Sequence, residues 1–397
     1  MKFIRNRLDS VKHHFEKGGK WERYFFSYEA IDTFLFTPAT TSDVKGAHVH
    51  DAVDLKRLMM TVVISMLPCL IFGMWNVGRQ HFMALGQVAT FEQEFWIGLV
   101  KTVPIIIVSY GVGLGIEFIF AIFRRHPVNE GYLVSGMLIP LVMPAGIPLW
   151  QVAVAAAFAV IIGKEAFGGT GMNVVNIALT ARAFLYFAYP SQISGEVWTF
   201  LGAGAKTVSG YSGATPLALA AQSTGNVVAD FNSFGAGWAD GIYSFWNMFL
   251  GVMPGCIGET STLMCLIGAL ILIITGVGSW KIIVSVFAGA WGMGLFLNMV
   301  GSTPFSQMPA HYHLVVGGLA FGAVFMATDP VTAAQTETGK WFYGLLIGMF
   351  TVLVRVFNPA YPEGIMLAIL LMNVFAPLID YFVVGANKKR RIQRATV

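Results

Sequence analysis

The chain has 397 residues, of which 56% are hydrophobic and only 12% are charged, with a formal net charge of +4. Such a composition excludes a soluble globular domain and reads as an all-α integral membrane protein. Its expected surroundings are membrane lipid, with no nucleic-acid partner.

In chain order, no long apolar run precedes Leu55. Residues 1–54 therefore read as a cytoplasmic N-terminal extension rather than a cleaved signal peptide. Apolar windows of about 17 to 25 residues predict helices near 55–77, 96–123, 132–148, 149–167 and 173–190. A second set is predicted near 259–278, 281–300, 312–328, 341–357 and 363–384, ahead of a basic tail at 386–397. Of the 25 Lys and Arg, ten lie in residues 1–57 and five in Lys388–Arg394. The positive-inside rule then puts both ends in the cytoplasm, which requires an even number of spans. Ten spans satisfy it, and Arg124, Arg125, Lys164, Lys281 and Lys340 all fall on the inner side. The loop 191–258 faces the periplasm, with a segment at 241–258 that has a re-entrant composition.

Five spans on either side of one loop predict two inverted five-helix repeats, 55–190 and 259–385. Gly168-Gly169-Thr170-Gly171-Met172-Asn173 opens the fifth span and Asn358 to Gly364 the tenth, each after a charged residue, Lys164 or Arg355. Helices interrupted in this way line cavities near the midplane, or are ordinary turns between helices.

The loop contains Ser212-Gly213-Ala214-Thr215 among many glycines, so its backbone can fold closely around a ligand and the Thr215 hydroxyl is open to attachment. Polar groups inside predicted spans form the second set of candidates, because each is costly unless it faces a cavity or a partner. Glu117 follows Gly113 and Leu114 in a small-residue helix face. Asn173 and Asn176 lie three apart, hence on one face. Arg182, Glu165, Glu259, Asp329 and Asp380 also fall at or within spans. Cys69, Cys256 and Cys265 lie in apolar runs without metal or disulfide spacing. His13-His14 and His311-Tyr312-His313 read as surface or interfacial pairs rather than metal ligands. There is no P-loop, nucleophile elbow or His-Glu-x-x-His sequence.

These blocks together resemble a family. Ser212-Gly213-Ala214-Thr215 resembles the flavinylation motif in which threonine carries FMN through a phosphoester. With Asp54-Leu55-Lys56-Arg57, Val128-Asn129-Glu130-Gly131, Lys164 to Gly171, Phe187-Ala188-Tyr189-Pro190, Ala327-Thr328-Asp329-Pro330 and Asn358 to Gly364, the chain is similar over nearly its whole length to the B subunits of the bacterial sodium-translocating NADH:quinone reductases. The D subunit of the Rnf complex is a near relative that lacks the N-terminal extension, and the urea-channel family a distant one that makes a solute channel the non-redox alternative.

The resemblance implies a flavoprotein subunit of a redox-driven Na+ pump. Thr215 would hold covalent FMN, with Ser212, Gly213 and Ala214 recognised by a flavin transferase. Asn173, Asn176 and Arg182 would serve cofactor binding, the two asparagines beside a non-covalent riboflavin. Gly113, Leu114 and Glu117 would border a ubiquinone region, Leu114 standing where the family has a second glycine, with the His13-His14 segment near its vestibule. Glu29, Asp329 and Asp380 would lie on the path of Na+ or H+. No metal ligands are implied, and the partners would be the other subunits of a six-subunit complex. Electrons would pass from a partner's flavin to FMN, then riboflavin, then quinone.

Overall fold

The computed structural model describes residues 2–36, 55–128, 131–202, 206–239, 241–358 and 361–395. Asn129, Glu130, Pro359 and Ala360 of the sequence blocks, Gly204 and Asp240 of the long loop, and the whole 37–54 stretch, Asp54 included, lie outside the described residues.

Among the described residues every regular element is helical. Two helices, α1 (Lys2–Phe15) and α2 (Phe25–Leu35), precede the apolar part. It begins with α3 (Leu55–Ala84), α4 (Phe91–Arg124), α5 (Tyr132–Leu141), α6 (Leu149–Gly163) and α7 (Ile177–Ala188). Three short helices, α8 (Pro216–Gln222), α9 (Val227–Ser233) and α10 (Phe245–Leu250), occupy the long loop. There follow α11 (Thr262–Ile274), α12 (Trp280–Val300), α13 (Tyr312–Val315), α14 (Leu319–Phe321), α15 (Glu337–Phe357) and α16 (Ile365–Ala395).

Six of these are long and apolar enough to cross a membrane: α3, α4, α6 with the turn after it, α12, α15 and α16. At the other four expected spans the helices are shorter or broken. Helices α5, α7 and α11 have 10, 12 and 13 residues, about 15 to 20 Å at 1.5 Å per residue, well short of a ~30 Å hydrocarbon core. The expected helix at 312–328 is broken into α13, α14 and a π-helical turn at Gly322–Met326. Two of these breaks have a local cause. Pro140 lies near the end of α5, and Pro144 and Pro148 turn the chain through 142–148, since proline lacks the helical donor. Gly168, Gly169 and Gly171 all have positive φ, at 116°, 98° and 89°, so the chain cannot remain helical ahead of α7.

The unwound end of α5 is bonded to the segment that leads into α11: Leu141 O accepts from Gly258 N at 2.8 Å and Met143 O from Ile257 N at 3.1 Å. The first helix of each half, α3 and α11, pack together, as do the last, α7 and α16. Close approach requires small residues, as membrane helices commonly use. A Cβ on Gly98 of α4 would lie 1.6 Å from Met74 O of α3, and one on Gly289 of α12 would lie 2.2 Å from Leu345 O of α15.

Candidate functional site

Two cavities in the apolar region are lined in part by polar residues. The first lies where α3, α5 and α11 meet the loops before α7 and after the π turn. Asn173, Asn176, Thr170, Ser135, Thr328 and Asp329 give it a polar side, and Met59, Leu138, Leu272 and Phe325 an apolar one. It leaves about 70 Å³ for the centres of water-sized groups and is partly open to solvent. Asn176 has two roles here. Its side-chain oxygen caps α7 by accepting from Leu179 N at 3.2 Å, while its amide donates to Asp329 Oδ2 at 3.4 Å. Asp329 also accepts from Val331 N at 3.0 Å and Thr332 Oγ1 at 3.1 Å, so three donors orient one carboxylate.

The second cavity, of about 30 Å³, is lined in part by Thr215. Thr215 is the N-cap of α8, with Pro216 at the first helical position and its Oγ1 accepting from Ala218 N at 3.2 Å. This cap uses a lone pair of the oxygen, not its hydrogen. The residues before it are pinned. Ser212 Oγ donates to Glu196 at 2.8 Å and accepts from Ala214 N at 3.3 Å, and the Tyr243 hydroxyl donates to Ala214 O. Burial holds the Tyr243 phenol well above its ordinary pKa, so it keeps the proton it donates. Gly213 is buried, and a Cβ there would lie 2.8 Å from Glu196 O. Only glycine lets the motif lie this close to the neighbouring stretch of loop.

The opposite wall is charged. Glu259, Glu363 and Cys256 line it, and Arg182 of α7 joins all three. Its guanidinium donates to Glu259 at 2.8 Å, to Val142 O at 2.9 Å and to Glu363, with Cys256 Sγ at 3.3 Å. Arg182 is 2% exposed and Glu259 4%, a depth at which charges persist only when paired. Arg355, fully buried, donates to the carbonyls of His313, Val316 and Glu363 at 2.7, 2.8 and 3.0 Å. The broken segment 313–318 and the loop before α16 are thereby fixed around one cation.

The expected site residues divide. Thr215 lines the second cavity and Arg182 bonds its acidic wall, while Ser212, Gly213 and Ala214 lie just before Thr215 and are not among the lining residues; Asn173, Asn176 and Asp329 line the first. Asn176 caps α7 and Arg182 follows six residues later, so one helix connects the cavities over about 9 Å of rise. Gly113, Leu114 and Glu117 join neither. A Cβ on Gly113 would meet the Tyr132 ring at 1.9 Å, so this glycine serves the packing of α4 on α5. Glu117 is buried in a pair with Lys164, and Arg124 bonds Glu165 at 3.0 Å. These pairs anchor the end of α6 and the glycine loop that follows. Asp380 bonds the start of α15, accepting from Gln335 N at 2.7 Å, Thr336 N at 3.0 Å and Thr336 Oγ1 at 2.6 Å. Glu29 is half-buried on α2, away from both cavities. Sequence reasoning did not assign roles to Glu363, Cys256, Trp198 or Lys164. Glu363 carried the one available signal, an acidic residue in an interrupted helix.

Two comparisons bear on this geometry. The family model described as NQR2, RnfD, RnfE matches residues 43–389. A protein of Ectopseudomonas mendocina, named as the B subunit of a Na(+)-translocating NADH-quinone reductase, is 48% identical, the match covering 98% of this chain and 99% of that relative. Proteins of the same name from Chromohalobacter salexigens and Pseudomonas aeruginosa are 47% and 46% identical, over 98% of this chain and 96% and 99% of their own lengths.

Proposed function

This chain belongs to the NQR2, RnfD, RnfE family, and we propose that it is the B subunit of a redox-driven Na+-translocating NADH:quinone reductase in the bacterial inner membrane. Whole-length similarity to relatives of that name supports the assignment. On this reading Thr215 carries FMN through a phosphoester installed by a flavin transferase, and the Asn173 cavity holds riboflavin. Electrons then pass on to ubiquinone. The coupled cation is Na+ or H+. The loop bearing Thr215 faces the periplasm, both termini face the cytoplasm, and the bundle consists of two inverted five-helix repeats, for which the pairing of α3 with α11 and α7 with α16 speaks.

The donor sets suit these groups. In the first cavity two amides, hydroxyls and an oriented carboxylate face an apolar wall, which matches a flat heterocycle with a hydrogen-bonding edge. In the second, the Thr215 oxygen can be esterified without losing its capping lone pair. When bound, flavins supply reversible one- and two-electron transfer. The chain's residues position, exclude water and set charge: Tyr243 and Ser212 fix the attachment segment, and Arg182 holds two carboxylates at the cavity wall. The observation that carries the proposal is α7, which reaches one cavity with Asn176 and the other with Arg182.

In-gel fluorescence of the denatured chain, co-expressed with its transferase, tests the attachment. A fluorescent wild-type band that is absent in Thr215→Ala is expected, and a dark wild-type band would overturn it. Thr215→Ala also loses the cap of α8, costing about 1 kcal/mol. Thr215→Ser keeps the cap and separates the two effects.

A further inference from the structure

Away from both cavities, the N-terminal helices meet the end of α4 in an open concavity of about 970 Å³. Lys12, Lys17, Arg23 and Arg125 stand around it with Glu16 and Glu22, and Phe15, Phe25 and Phe26 contribute apolar surface. Both carboxylates are already engaged. Glu16 lies 3.8 Å from Lys12 Nζ, and Glu22 accepts from Gly18 N at 3.0 Å. The rim therefore has an excess of two positive charges.

Two of the cations are placed at the end of a long apolar helix. Arg125 ends α4 in a left-handed backbone conformation, φ 56°, the only one among the described non-glycine residues. Such a conformation costs an L-residue of order 1 kcal/mol or more. The Arg23 guanidinium lies over the Phe123 ring, 5.5 Å from its centroid, at the same end. Since α4 is long and apolar enough to cross a membrane, its basic end is expected at the membrane surface, within reach of lipid phosphates. The surrounding segment exposes Phe3, Trp21 and Tyr24 by 71%, 48% and 48%, and such aromatic side chains favour the membrane interface.

We propose that this concavity binds the headgroup of an anionic phospholipid, its phosphate among Arg23, Arg125, Lys12 and Lys17 and an acyl chain along the phenylalanines. Charge complementarity selects an anion, and the apolar surface selects one that carries a hydrocarbon chain. Basic pockets beside membrane helices bind lipid phosphates in this way. The site is separate from the flavin reading and stands whether or not Thr215 is modified.

The test uses the full chain in its purified complex, reconstituted in phosphatidylcholine nanodiscs with rising fractions of cardiolipin, with bound cardiolipin counted by native mass spectrometry. The Arg23→Ala/Arg125→Ala pair is expected to weaken the tightest cardiolipin about 30-fold, two cations at about 1 kcal/mol each. The pair Lys388→Ala/Arg390→Ala, the same charge change in the basic tail, should shift it less than twofold. Equal weakening by both pairs overturns the proposal, as does no weakening by the first. Displacement of cardiolipin by millimolar inorganic phosphate would show a site for free anions and also overturns it. Lys12→Ala/Lys17→Ala, on exposed positions of the N-terminal segment, should weaken binding without disturbing the end of α4, and decides the matter if the arginine pair fails to fold.

Discussion

The Asn173 cavity and the Thr215 cavity lie at successive levels of one helix, yet their walls differ in charge. Among the described residues that line the first, Asp329 is the only ionisable group, and three hydrogen bonds orient it. The second has two carboxylates, Glu259 and Glu363, drawn onto one guanidinium. A cavity of the first kind can retain a neutral ring system by shape and hydrogen bonding. The second presents acidic groups, which an incoming phosphate would meet as repulsion. Attachment by a bond, as proposed at Thr215, does not depend on that affinity, and a tether maintains a high local concentration whatever the wall does. On the proposed assignment, the contrast would give a reason for holding one cofactor covalently and the other non-covalently.

The most severe way to break this contrast is to remove its guanidinium. Arg182→Met would leave the buried Glu259 beside the half-buried Glu363 and free Val142 O at the unwound end of α5. Breaking a buried pair from one side costs about 3 to 5 kcal/mol, a large part of the stability of an ordinary domain. A collapse in the yield of folded chain and a large fall in detergent melting temperature are expected. An Arg182→Met chain that melted like wild type would mean that the wall is not held by this ion pair.

A milder change separates capping from recognition in the first cavity. Asn176→Ala removes both the cap of α7 and the amide on Asp329, and should cost about 1 kcal/mol. Asn176→Ser retains an oxygen for the cap but no amide, so its stability should stay within about 0.5 kcal/mol of wild type. Both should lose extractable riboflavin to a similar extent, measured by fluorescence after acid precipitation. Full riboflavin in the serine variant would remove Asn176 from the proposed site.

The sequence was most legible where local physics decides. Uninterrupted apolar runs identified α3, α4, α12, α15 and α16 to within a few residues at most ends, because length and hydropathy are properties of a segment alone. It was less legible where a helix breaks. The break between α13 and α14 falls at Val316-Gly317-Gly318, where Gly317 has φ 68°, and the π-helical turn at Gly322–Met326 packs against α11, α12 and α16. The Thr215 motif was visible as a glycine-rich stretch, but its wall was not. Glu259 and Glu363 lie 77 and 181 residues from Arg182, and no spacing rule joins such distant positions. Glu117 shows the converse. An acidic group in a small-residue helix suggested a ligand contact, whereas its neighbour is Lys164 at the end of α6.

Asp380 offers the smallest effect and a different kind of boundary to the comparison, since it is a carboxylate in neither cavity. Its two oxygens accept from two backbone amides and the Thr336 hydroxyl at the start of α15, where a negative charge is also favoured by the helix dipole. Asparagine would keep one acceptor but lose the charge, so Asp380→Asn should cost about 1 kcal/mol or less. If capping is all that Asp380 does, the Na+ concentration for half-maximal quinone reduction should not move while the melting temperature falls slightly. The opposite pattern, intact melting with a several-fold shift in Na+ dependence, would assign the carboxylate to the ion path. It would also mean that charge relevant to transport lies outside the Glu259, Arg182 and Glu363 wall, at the foot of a helix that the same side chain begins.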